Sequence, residues 1–153
     1  MAMKFWIFLH LLGVVVWVGG MFFAYMALRP AAAQLLEPPQ RLKLWNGTFS
    51  RFFPWVWLSV ALILGSGLYM ISLLGGFGAV TLYVNLMVGI GLLMMLIFAL
   101  VFFAAYGKLK RLVAAEDWKA AGAALAQIRM LVGLNLVLGL ITLAVATLGP
   151  LFA

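Results

Sequence analysis

One histidine, His10, is the only His, Asp, Glu, Lys or Arg between Lys4 and Arg29, and none of these five types interrupts three further apolar stretches of the chain. Imidazole is the commonest metal ligand among side chains and titrates near neutral pH. The chain also holds nine methionines, whose thioethers are soft ligands suited to Cu(I), and a His with a Met is a familiar axial pair for haem iron. Cysteine is absent, which removes thiolate metal sites, disulfides and iron–sulfur clusters. No Asp or Glu falls in an apolar stretch, so the chain has no carboxylate proton relay of the kind pumps carry, and no nucleophile–base constellation is legible. The chemistry open to these residues is therefore soft-metal or haem ligation rather than acid–base catalysis.

Those ligands need elements to hold them, and composition says where the elements lie. Of 153 residues, 68% are hydrophobic and 8% charged, with a mean hydropathy of +1.23. Soluble domains average about 45–50% apolar and about 25% charged, so this chain belongs in a lipid bilayer. The apolar runs cover approximately 5–28, 52–74, 82–106 and 130–149. Each is long enough to cross a hydrocarbon core of about 30 Å as a helix. The expected fold is all-α, a single membrane domain built as an up-down-up-down antiparallel four-helix bundle. The first run exceeds the roughly 7–15 residues of a signal-peptide core and reads as a true span.

The connections set the orientation. Residues 29–51 carry Arg29, Arg41, Lys43 and Arg51 against Glu37, and residues 107–129 carry Lys108, Lys110, Arg111, Lys119 and Arg129 against Glu116 and Asp117. The stretch Gly75–Thr81 carries no charge. The positive-inside rule puts the two basic connections in the cytoplasm and both termini in the periplasm. The net charge of +7 is thereby an orientation signal, with no basic face left for nucleic acid. Pro30, Pro38 and Pro39 are expected to stop any continuous helix in the first connection. Both connections mix Leu, Trp and basic residues in the manner of segments lying on a headgroup surface. Trp45, Phe49, Phe52, Phe53, Trp55 and Trp57 read as an aromatic belt at the cytoplasmic boundary, and Phe5, Trp6, Tyr69 and Tyr83 as its counterpart.

At about 100° per residue, His10, Gly13, Trp17, Met21, Ala24 and Leu28 share one stripe of the first helix, with Gly19 and Gly20 beside it. His10 lies about five residues, or roughly 8 Å, inside the periplasmic boundary. The antiparallel frame puts Met70, Met87 and Asn85 at a similar depth. Three readings follow. Copper would be held by His10 with Met70 or Met87, and with Met1 and Met3 near the mouth. Haem b would take His10 as an axial ligand, with Trp17 on the same stripe and Gly13, Gly20, Gly65 and Gly67 leaving room for the macrocycle. Only one His is present, which leaves five-coordinate iron, a Met partner, or a ligand from another subunit and hence a homo-oligomer, for a haem protein of electron transfer or redox chemistry. In the third reading His10 simply packs, as Asn135 and Thr142 do by bonding across helix contacts.

The segments His10-Leu-Leu-Gly13, Trp17-Val-Gly19-Gly20, Arg29-Pro30, Arg51-Phe52-Phe53, Gly65-Ser-Gly67 and Asn135-Leu-Val-Leu-Gly139 together resemble the CopD-like family of small bacterial membrane proteins, named for copper resistance. The resemblance covers most of the chain and implies an inner-membrane protein of copper uptake or homeostasis. The spacing of His10, Trp17 and Gly20 also resembles the first span of HemJ-type protoporphyrinogen oxidases, which implies His10 as a haem b ligand. That group carries a lysine in its third span where this chain has none, so the resemblance reaches haem binding and stops short of porphyrinogen oxidation. Span three likewise offers Asn85 and Ala99, with no histidine to complete a copper set.

Overall fold

Hydrocarbon offers no partner for backbone N–H and C=O groups, so each apolar run folds as one self-satisfied helix. The computed structural model describes all 153 residues and contains four such helices: α1 Ala2–Leu35, α2 Pro38–Leu73, α3 Leu82–Ala114 and α4 Trp118–Phe152. All four are long and apolar enough to cross a membrane, as an all-α bundle requires. At 33 to 36 residues each, they extend roughly 50–54 Å, well beyond a hydrocarbon core of about 30 Å.

The excess length corrects the expected connections. The basic segments do not lie flat; they continue the helices upward. Within the basic segments the chain breaks only at Leu36–Glu37, where both residues are extended, and around Ala115–Asp117, where Glu116 adopts a φ of 55°. Asp117 then caps α4 by accepting the Ala120 N–H at 3.2 Å. Burial explains the extensions, because Leu42, Leu109, Ala121 and Ile128 belong to one buried hydrophobic cluster and are almost wholly enclosed. Pro30 does not stop α1. A π-helical turn over Ala24–Leu28 precedes it, widening the helix where the ring would otherwise press on the preceding turn. Pro38 and Pro39 open α2, where a missing N–H costs nothing. At the opposite end, Gly75 and Gly76 take φ of 99° and 91°, and the Gly76 N–H returns to the Ile71 carbonyl at 2.9 Å to close α2.

Helices α1 and α2 form one tightly packed antiparallel pair, and the spanning parts of α3 and α4 form the other. The main core lies toward the basic end. There Phe53 stacks on Phe49 at 4.9 Å and meets Tyr106 and Phe98 edge-on at 5.0 and 5.4 Å. The expected cytoplasmic aromatic belt therefore splits. Trp45, Phe49 and Phe53 are core, while Trp55 faces outward with 59% of its surface exposed. At the other interface Trp6 packs on Tyr69 at 4.5 Å.

Candidate functional site

The seam between α1 and α2 can be followed turn by turn. Beneath the Trp6–Tyr69 contact, His10 Nδ1 lies 3.0 Å from Ser66 Oγ, and Gly67 lies against the edge of the same ring. One turn deeper, Gly13 brings α1 onto Ile63 and the Ser59 carbonyl, and further on Gly20 admits the Phe52 ring. Small residues at these points allow the backbones to approach, as helix pairs in lipid require. Ser66 is enclosed and donates its hydroxyl proton to the Leu62 carbonyl of its own helix. Its oxygen is then an acceptor toward His10. The network is satisfied when Nδ1 carries the ring proton, which leaves the Nε2 lone pair uncommitted. A metal-binding histidine is typically oriented in this way, by a hydrogen bond from its other nitrogen.

The remaining sequence candidates separate. Met70 is half-buried on α2, one turn from Ser66 toward the loop end, hence about 6 Å further out than His10's own level. Met3 is half-buried on the first turn of α1, seven residues from His10 and so on the same face. Met87 is half-buried on α3. Gly139 of α4 sits between Val18 and Met94, so those two residues are level. Met87, seven residues from Met94, is therefore within a turn of His10 in depth. Its helix packs along α4, with little backbone contact to α1 or α2. Asn85 is turned to the loop, its Nδ2 donating to the Phe77 carbonyl at 3.5 Å.

Trp17 is buried and meets Phe98 edge-on at 6.1 Å. At Gly13 and Gly20 the neighbouring side chains of α2 already fill the space, so these positions do not fit a macrocycle. They serve the approach of α1 to α2. No group of three or more His, Cys, Asp and Glu side chains comes together anywhere in the chain. The α1 and α2 helices that form the seam carry one imidazole and the Met3 and Met70 thioethers, and thioether donors match the preference of Cu(I).

Serines 59 and 66 escaped the sequence reading as site residues. They are seven residues apart, two turns of one helix face, and both are buried with 2% exposure. Each hydroxyl donates to the carbonyl four residues earlier in its own helix. That heptad spacing of two hydroxyls opposite His10 and Gly13 was the available signal. Asn135 does bond across helices, its Nδ2 donating to the Met94 carbonyl at 3.1 Å. Thr142, expected to do likewise, bonds instead to Leu138 of its own helix at 2.8 Å.

The sequence profile of CopD, copper resistance protein D, matches residues 46–148. The chain belongs to the copper resistance protein D family. The matched segment takes in most of α2, all of α3 and nearly all of α4, including Ser59, Ser66, Met70 and Met87. The α1 half of the seam, with His10, lies outside it. No curated protein and no solved structure matches the chain. A CopD-family chain with four bilayer-length apolar helices is a multi-pass membrane protein related to copper resistance.

Proposed function

We propose that this protein holds copper inside the membrane, as Cu(I), and takes part in copper transport or homeostasis. His10 Nε2 is the principal ligand, Met70 supplies a thioether, and Met87 is the alternative thioether from α3. The observation that carries the reading is the His10–Ser66 hydrogen bond at Nδ1 of the one imidazole of a CopD-family chain; with the ring proton on that nitrogen, Nε2 is free to bind a metal. Met70 ranks ahead of Met87 because it rides on the helix that packs along α1. In this reading copper is cargo. It would enter from the end that carries Met3, which the charge distribution makes periplasmic in a bacterial inner membrane. Below His10 the seam closes where Gly13 meets Ile63 and Ser59. The ion is thus retained at the histidine, and onward passage would require α1 and α2 to part.

The test is a Cu(I) competition titration in detergent, under reducing conditions, on wild type, His10→Ala, Met70→Leu and Met87→Leu. Tight binding that is lost in His10→Ala and weakened more by Met70→Leu than by Met87→Leu supports the reading. Undiminished binding in His10→Ala overturns it.

A further inference from the structure

The basic end of the bundle contains a second feature, unconnected with copper. A cavity of about 820 Å³ opens between α1, α2 and α4, within the range of about 300–1,000 Å³ typical of ligand sites. Four cationic side chains line it: Arg29 from α1, Arg41 from α2, and Lys119 and Arg129 from α4. The chain has three acidic side chains, Glu37, Glu116 and Asp117, and none of them lines this cavity. Like charges converging on one recess repel one another, and an anion relieves that repulsion. The cavity is also graded along the membrane normal. Its inner part is apolar, formed by Ala24, Phe49 and Val132. Arg29 and Arg129 are the first charges met on leaving the apolar runs of α1 and α4, and Arg41 and Lys119 lie further out, near the helix turns. Arg29 is held in place from below, its guanidinium 4.7 Å above the Tyr25 ring.

We infer that this cavity binds the headgroup of an anionic phospholipid. The phosphodiester would lie among Arg29, Arg129 and the outer cations, and the upper acyl chain would rest on the apolar inner wall. Free phosphate shares the anionic chemistry but has no use for that wall. Basic recesses between membrane helices at the headgroup level are suited to such lipids, and guanidinium forks bind phosphate oxygens in pairs.

The experiment uses the full chain, purified in neutral detergent and stripped of lipid. Its unfolding temperature is followed with added phosphatidylglycerol, phosphatidylcholine of the same acyl chains, or inorganic phosphate. At about a hundredfold excess over Kd, phosphatidylglycerol should raise the temperature by roughly 5–10 °C. Phosphatidylcholine should have little effect. The increase should vanish in the double variant Arg29→Gln with Arg129→Gln and persist in Lys108→Gln with Arg111→Gln, which lie outside the cavity. Should the first pair misfold, Arg41→Gln with Lys119→Gln gives the same readout. An equal response to phosphatidylcholine overturns the proposal. So does full stabilisation by phosphate alone, or equal loss of the response in the Lys108 and Arg111 variant.

Discussion

Gly13→Ala and Gly67→Ala place the same methyl group on opposite sides of one seam, with opposite consequences. An added Cβ at residue 13 would lie 2.9 Å from Ile63 Cγ1 and 3.0 Å from the Ser59 carbonyl oxygen. Carbon atoms pack best at about 3.5–4.0 Å, so the helices would have to separate by roughly half an ångström. The Ser59 contact is backbone and cannot rotate aside. At residue 67 the nearest atom is His10 Cε1 at 3.4 Å, an ordinary contact. Both changes gain about 1 kcal/mol of helix propensity, so that term cancels between them. What remains is overpacking at residue 13 alone, about 1–3 kcal/mol. For a chain of this length 1 kcal/mol corresponds to about 2–4 °C. Gly67→Ala should therefore unfold about 2–12 °C above Gly13→Ala when the two are heated side by side in the same detergent. If Gly13→Ala proved as stable as Gly67→Ala, the close approach of α1 and α2 at this level would be wrong, and the geometry around His10 with it.

Three other outcomes are expected. Ser66→Ala removes the group that orients His10 Nδ1 and should weaken Cu(I) binding by about 10–100-fold while the fold survives; chelator competition measures this, and unchanged affinity would discount the serine. Asn135→Leu loses one interhelical bond, about 0.6–1.7 kcal/mol in lipid, whereas Asn135→Asp places an acceptor against the Met94 carbonyl and a buried charge five residues inside the apolar run of α4, costing up to about 2.5–3.5 kcal/mol. Thermal unfolding should rank the two in that order, and the reverse ranking would refute the assigned bond. A reporter fused after Ala153 should read as periplasmic, as should one in Gly75–Thr81, and a cytoplasmic signal at either would invert the orientation.

The four helices were legible because charge position divides the apolar runs, and the stripe Gly13, Trp17 and Met21 is indeed the buried face of α1. Periodicity names a face without naming its partner. It could not show that Gly13 meets Ile63 on α2 while Trp17 meets Phe98 on α3. Ser66 was hard to value in sequence, since a serine in a membrane helix commonly satisfies itself on the preceding turn; only the antiparallel register puts His10 on its free lone pairs. Pro30 misled because a π-turn absorbs it. The mixed Leu and Lys/Arg segments looked like surface helices because the residues that share their buried cluster, Leu42, Leu109 and Ile128 among them, lie far apart along the chain. Met70, expected at the depth of His10, lies a turn further out on the helix that packs along α1. Met87 is level with His10, yet its helix belongs to the other pair.

The most direct measurement is copper K-edge X-ray absorption on the Cu(I)-loaded protein and on His10→Ala. The proposed ligand set predicts a nearest shell with both an imidazole nitrogen and sulfur, the nitrogen component disappearing in the variant. A wild-type shell without imidazole, or a spectrum unchanged by His10→Ala, would contradict it.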